Sequence, residues 1–258
     1  MNNVFLGFFP MVTFLCISLL SCHNYKKTPA GKNDAPAINH SIWNELLAEN
    51  VDSVGIVNYE GFIQKQSRLE EYLDLLSHHP PSPQWSEAEK LAYWINAYNA
   101  FTVKVIIDNY RPRSIRDLNT IPGVATIWHK EFFTIGGEPA SLDQIEHSIL
   151  RREFDEPRIH FAINCASKSC PVLRNEAYTP QKLESQLTSQ AQRFLREPLR
   201  NQITAEEVKL SPIFSWFKED FIRHSTLIEY LNQYAPIQIQ DDANISYLDY
   251  DWSLNDQP

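Results

Sequence analysis

Residues 86 to about 110 set apolar side chains on nearly every side of a helical wheel, through Ala92, Trp94, Ile95, Tyr98, Phe101, Val105 and Ile106. A helix with no polar face has to be covered all round, so the rest of the chain must wrap it. Its start is written as Ser86-Glu-Ala-Glu89, the spacing of a capping box. Asn96 and Asn99 lie three apart and face the same way inside this apolar segment. Buried amides require partners, so these two either bridge backbone groups and neighbouring helices or orient groups beside a reacting centre.

The elements around that helix are short. Ser41 caps an amphipathic helix with Ile42, Trp43, Leu46 and Leu47 inward; residues 54–59 are β-rich, and a second helix runs to about Ser77. Residues 132–135, the Gly136-Gly137 turn and a break at Pro139 lead to Ser141, the cap of a helix reaching about Arg152. Leu142, Ile145, Ile149 and Leu150 make its buried stripe, and the missing position of that stripe is Glu146. A carboxylate pointing inward requires a partner, for which His147, His160, Arg151, Arg152 and Arg158 are available. Farther on, the pattern predicts an amphipathic helix over 179–196, a small hairpin over 201–210 and a helix from Ser211 whose aromatics pack in the core. Residues 237–240 and 245–250 suggest closing strands, with Tyr247, Tyr250 and Trp252 over the core. No strand-helix-strand rhythm repeats. The expected fold is α+β: a helix-rich single domain with a small, mostly antiparallel sheet packed on the long buried central helix.

The N-terminus restricts the chemistry open to the cysteines. Residues 4–20 are almost entirely apolar and lead into Leu19-Leu20-Ser21-Cys22, which reads as a lipobox with Cys22 as the lipidated residue. Met1-Asn2-Asn3 lacks the usual basic residue, but Gly7 and Pro10 break the apolar run and it is short for a span, which favours a cleaved signal over a membrane helix. The resulting division is a signal peptide over 1–21, which carries off Cys16, a flexible tether over 22–39 and a globular domain over 40–258. A palmitate-type anchor at Cys22 would hold the protein on the membrane in the cell envelope. His23 does not resemble an inner-membrane retention signal, so the outer membrane is preferred.

Other classes fall away on charge and motif. A net charge of -9 with interspersed signs gives no basic stripe for phosphates, so no nucleic-acid partner is expected. No Walker loop, dinucleotide glycine fingerprint or His-Glu-x-x-His helix occurs, and 7 glycines leave little for phosphate-cradling loops; no cofactor is expected.

Residues 164–171 read Asn-Cys-Ala-Ser-Lys-Ser-Cys-Pro and hold the two cysteines that remain after processing. The preceding residues, 158–165, read as a strand whose alternation puts His160 and Cys165 on opposite faces. A Cys-His dyad then needs a turn at Asn164, or His147 approaching from its own helix. In an oxidising compartment Cys165 and Cys170 can instead close a small disulfide loop. A reactive thiolate requires a lowered pKa. A zinc site lacks a fourth ligand, and no metal is expected.

Val57-Asn-Tyr59, the run from Leu91 through Trp94, Asn96 and Asn99 to Ala100, Ser141-Leu-Asp-Gln-Ile-Glu-His147, the run from Arg158 to Pro171 and Ser211-Pro-Ile-Phe-Ser-Trp216 together resemble the family called domain of unknown function 547, over about residues 54–222. The resemblance implies bacterial envelope or secreted proteins and, in eukaryotic members, fusion to glutaredoxin-like or DEP domains. Its motif positions here are Trp94, Asn96, Asn99, Glu146, His147, Arg158, His160, Asn164, Cys165, Cys170 and Pro171. If the long helix, the Glu146 helix and the segment into Cys165 converge on one cleft, Cys165 as nucleophile, a histidine as general base and Glu146 or an asparagine as its orienter make a hydrolase or acyltransferase for an envelope peptide or amide. Two other readings stand beside it. One is a non-enzymatic binding or structural lipoprotein with a Cys165–Cys170 disulfide; the other is a thiol-disulfide exchange protein, which lacks the Cys-x-x-Cys spacing.

Overall fold

Three helices lead into the long one. In the computed structural model, which describes residues 36–110, 112–119 and 126–257, these are α1 (Ser41–Asn50), α2 (Tyr59–Gln64) and α3 (Gln66–His78), and α2 and α3 pack directly on α4 (Glu87–Asp108). The expected signal peptide, Cys22 and most of the tether lie outside the described residues. The capping box forms as read: Ser86 Oγ accepts from the Glu89 N–H and Glu89 Oε2 accepts from the Ser86 N–H. Fifteen of the α4 residues are buried, from Leu91 to Ile107, including both asparagines. Each large apolar side chain covered in this way contributes about 1.5–3 kcal/mol relative to exposure, which holds a helix with no solvent face in the middle of the domain. No helix among the described residues is long and apolar enough to cross a membrane.

After a capped 3-10 turn at Ile115–Leu118, β1 (Phe133–Ile135) and β2 (Glu138–Ala140) form an antiparallel hairpin. Gly136 and Gly137 both have positive φ, the requirement of the turn whose twist matches its strands. Pro139 does not break the element; it sits inside β2 opposite Thr134, which a sheet of only two strands tolerates. Phe133 stacks on Phe101 with centroids 3.8 Å apart, so this hairpin rests on α4. The Glu146 helix begins as expected, with Ser141 Oγ accepting from the Gln144 N–H, but Gln144–Leu150 is wound as a π-helix before one α-helical turn, α5 (Arg151–Glu153). Such wide turns re-aim side chains relative to a regular helix.

The strand expected over residues 158–165 is instead a helical turn, α6 (Ile159–Ala162), followed by extended and turning backbone. Pro157 and the Asp155-Glu156 pair precede it, and a short apolar run does not distinguish strand from helix by period alone. α7 (Leu183–Arg196) follows, then β3 (Gln202–Ile203), β4 (Glu207–Leu210), α8 (Ile213–Trp216), α9 (Lys218–Phe221), α10 (Leu227–Asn232) and β5 (Asn244–Tyr247). β3 and β4 form the expected hairpin, while β5 joins β4 in parallel; residues 237–240 form no strand.

The result is a helix-rich α+β domain with two small sheets. The two-stranded sheet meets the central helix through Phe133 and Phe101. The three-stranded one contributes Val208 and Leu210 to a second apolar cluster, built on Phe161, Phe194, Phe214 and Phe221. α6 stands where the two clusters meet: Ile159 and Ala162 belong to the α4 cluster and Phe161 to the other. The cysteine run leaves directly from this junction.

Candidate functional site

Four asparagine and tyrosine side chains shape the turn that carries Cys165. Asn99 of α4 donates to the Ala162 carbonyl at 3.0 Å and accepts from the Asn164 N–H at 2.8 Å, so it ties the end of α6 to the start of the turn. Asn164 Oδ1 takes the Ala166 N–H at 2.9 Å and its amide donates to the Pro171 carbonyl at 2.7 Å. Asn255 reaches Asn164 from the C-terminal segment at 3.3 Å and is itself held by the Tyr59 hydroxyl at 2.8 Å. Inside this frame Ala166 adopts φ +61°, the only non-glycine with positive φ among the described residues. That backbone costs about 1–2 kcal/mol for an L-residue, which the buried hydrogen bonds offset, and it throws the chain sharply aside after Cys165.

Cys165 is partly exposed and Cys170 is buried; both are free thiols. Cys170 Sγ accepts from the Cys165 N–H at 2.9 Å. The Cys165 sulfur lies 3.2 Å from Ser167 Oγ and 3.4 Å from the Tyr250 hydroxyl, and those two oxygens are 3.1 Å apart. A hydrogen bond from the Cys170 thiol, then bonds from the Ser167 and Tyr250 hydroxyls, outweigh burial and bring the Cys165 thiol down to about 6. The Cys170 thiol moves the other way, raised by burial and by its neighbour's charge. Burial, with both sulfurs adding to it, also raises the Tyr250 phenol, which therefore stays protonated and able to donate.

Cys165 opens into a cavity of about 250 Å³. Glu146 and Tyr98 line the same space, and Tyr98 donates to Glu146 Oε2 at 3.1 Å. Burial is the main cause that pushes the Glu146 carboxyl up to about 7, against the Tyr98 hydrogen bond and with the Cys165 charge. The partner expected for this inward carboxylate is present as a hydrogen bond from the Tyr98 phenol rather than from any of the histidines and arginines offered for it. His160 also lines the cavity, stacked on Phe217 at 4.0 Å, with Nε2 2.7 Å from Asp220 Oδ2. A carboxylate only accepts, so Nε2 carries the proton and Nδ1 the lone pair. Burial lowers the His160 imidazole against the pull of Asp220, which leaves it neutral near pH 7. Burial alone would raise the Asp220 carboxyl, but hydrogen bonds from His160 and Arg151 outweigh it and hold the group well below the usual carboxylate range. Arg151 also donates to His147 Nδ1 at 2.9 Å, fixing that ring with its proton on Nε2, 3.7 Å from Asp143.

The cavity therefore gathers Cys165, Cys170, Glu146, His147 and His160. The helical turn at 159–162 is what removes the opposite-face restriction that a strand would impose. No imidazole is hydrogen-bonded to Cys165 among the described residues; the thiol's partners are Cys170, Ser167 and Tyr250. Asn99 acts from behind the turn, and Asn96 lies elsewhere, clamping the Tyr178 backbone through bonds of 2.8 and 3.0 Å. Arg158 faces away into a bidentate pairing with Glu156 and Glu184.

Sequence reasoning missed Ser167, Asp220, Tyr250 and Trp252 as site residues. Trp216 and Phe217, read as core aromatics, line the cavity, as do Tyr250 and Trp252. Trp216 is 49% exposed, so it covers no core. Among the described residues no group of three or more His, Cys, Asp or Glu is placed to hold a metal ion.

Comparison with known proteins agrees with the motifs. No curated protein and no solved structure matches the chain. One family model does match, over a span that takes in α4, the π-helix, the cysteine turn and most of α7 but leaves out Tyr59, Trp216 and Tyr250. Residues 82–195 of this chain match the model of the family described as protein of unknown function, DUF547.

Proposed function

We propose that the cavity is the active site of a thiolate-dependent hydrolase or acyltransferase acting on an amide or peptide, with Cys165 as nucleophile. The observation that carries this reading is the setting of Cys165: partly exposed at a cavity, on a strained turn, with Ser167 Oγ and the Tyr250 hydroxyl against its sulfur. Those donors leave the thiol ionised near neutral pH without a histidine contact, so the Cys-His arrangement is not needed for activation. The thiolate adds to the substrate carbonyl, forming the C–S bond while the carbonyl electron pair moves to oxygen. The tetrahedral oxyanion collapses, the C–N bond breaks, and Glu146, part-protonated near pH 7, gives its proton to the departing amine. Water or a second amine then attacks the thioester, losing its proton to the Glu146 carboxylate as the Cys165 thiolate leaves. His160, neutral with Nδ1 basic and anchored by Asp220, is the second proton acceptor on the same wall.

The test is trapping. Incubation with p-nitrophenyl acetate followed by peptide mass mapping is expected to find one acetyl group on the Cys165 peptide, absent in Cys165→Ser. A wild-type protein that releases no nitrophenol beyond the rate of the serine variant would sink the reading.

One observation favours a second reading. Cys170 is hydrogen-bonded to Cys165, and the pair combines a partly exposed thiol lowered by its neighbours with a buried one that is raised. Exchange with an external disulfide oxidises this pair by two electrons: the Cys165 thiolate attacks it and expels one of its sulfurs as a thiolate, then Cys170, giving up its proton, attacks Cys165 and displaces the other, which makes either a bridge that holds a binding surface or a thiol-disulfide exchanger. Alkylation of protein taken from cells, mapped with and without reductant, separates the readings: a stoichiometric bridge supports the second, a fast-alkylating Cys165 the first.

We propose further that the domain is anchored through lipidated Cys22 in the cell envelope, with the outer membrane preferred; the lipobox-like residues 19–22 support this. Incorporation of labelled palmitate that is lost in Cys22→Ser is the expected result.

A further inference from the structure

We infer that the group this cavity takes beside Cys165 is an uncharged aromatic ring of the substrate. The inference rests on the thiolate reading for its chemistry and names the substrate class of that site.

The walls are the first argument. Trp128, Trp216, Phe217, Tyr250 and Trp252 line the cavity, and Trp216 is 49% exposed. A tryptophan half in water at the lip of a cavity contributes little to a core and offers a large, rigid, amphipathic surface to a guest. The rings also differ in inclination. Trp252 lies at 48° to Tyr250 with centroids 4.5 Å apart, at 21° to Trp216 at 5.8 Å and at 70° to Trp128 at 6.1 Å. A wall of mixed inclination presents both faces and edges, the two surfaces an incoming ring packs against by stacking and by edge-to-face contact.

Charge is the second argument, and it selects among guests. Asp143 and the Cys165 thiolate contribute negative charge to the lining, Glu146 adds to it as it loses its proton near pH 7, and no lysine or arginine lines it among the described residues. An anionic guest is repelled. A cationic guest would seek the aromatic rings, but two of them already carry a cation of the protein's own: Arg116 lies 5.1 Å over the Trp252 ring and Arg151 5.0 Å over the Phe217 ring. Asp143 is in turn flanked by His129 and His147 at 3.5 and 3.7 Å. What remains is a flat apolar group without charge.

Alkylation of the reduced full-length protein tests this with small probes. The thiolate displaces iodide from iodoacetamide, N-benzyl iodoacetamide, iodoacetate or a trimethylammonium-bearing iodoacetamide, and the rate at Cys165 is read by peptide mass mapping. Dividing each rate by that for 2-mercaptoethanol at the same pH and thiolate fraction removes intrinsic reactivity. The benzyl reagent is expected to exceed iodoacetamide by about tenfold and iodoacetate to fall about tenfold below it. Trp252→Leu and Trp216→Leu are each expected to reduce the benzyl-to-unsubstituted ratio. Equal normalised rates for the benzyl and unsubstituted reagents, or a trimethylammonium reagent faster than the benzyl one, would overturn the inference while leaving the nucleophile intact. Uniformly slow alkylation would overturn the thiolate reading itself, and the inference with it.

Discussion

The Tyr98 hydroxyl donates to Glu146 Oε2 at 3.1 Å, a bond that joins the central helix to the π-helical segment inside the cavity. It supplies one hydrogen bond to a carboxyl that has left water, which does not suffice to keep the charge. The folded value of about 7 lies above the ordinary 4.5, so between these values the native state holds a proton that the unfolded chain has released. Stability from this group is complete below the unfolded value and is lost as pH rises through 7. Urea unfolding of Glu146→Gln against wild type is expected to show the variant gaining on the order of 3 kcal/mol relative to wild type between pH 4 and 8. A difference that does not change with pH would mean that Glu146 is charged throughout.

The Cys165 thiol is set by its neighbours, and they are ranked. The rate of iodoacetamide alkylation is expected to rise with a midpoint near pH 6. Cys170→Ala should move that midpoint farthest, toward the ordinary thiol value of about 8.5, and Tyr250→Phe and Ser167→Ala by less. A merely structural role for Tyr250 would lower thermal stability without moving the profile.

Asn96 and Asn99 separate by the same measurement. Each makes two buried backbone hydrogen bonds, so either alanine variant is expected to lose about 2–3 kcal/mol in denaturant unfolding. Only Asn99→Ala should also slow alkylation of Cys165, because only Asn99 holds the Asn164 turn. Equal effects on the thiol would place the control of the turn elsewhere.

Ala166 can be probed from both sides. Glycine relieves the left-handed backbone but frees the unfolded chain, so Ala166→Gly is expected within about 1 kcal/mol of wild type. Ala166→Val adds a β-branched group at positive φ in a position with no exposed surface, and should lose more than about 2 kcal/mol. Thermal unfolding of the two variants checks the pair.

The sequence made the frame of this site more legible than its inner face. The capping box at Ser86, the all-round apolar helix and the inward Glu146 were readable because each is a local pattern of spacing. The turn at 159–162 was misread because Ile159, Phe161 and Ile163 alternate as they would in a strand, while Pro157 and the tertiary position of Phe161 decide for a helix. Asp220 and Tyr250 carried no signal: they meet His160 and Cys165 across 60 and 85 residues, and nothing local to either marks that meeting. Trp216 and Trp252 gave only half a signal, since an aromatic residue at helical or strand spacing is first a core residue.

The pins on the Cys165 turn come from Tyr59, Asn99 and Asn255, and the bond from Tyr59 to Asn255 closes a separation of 196 residues. Contacts of such range form late, after nearer ones have restricted the chain. The thiol of an unfolded chain therefore behaves as an ordinary, mostly protonated cysteine, and its low value belongs to the folded turn with Cys170, Ser167 and Tyr250 in place. Folding itself acts as the safety catch on the nucleophile.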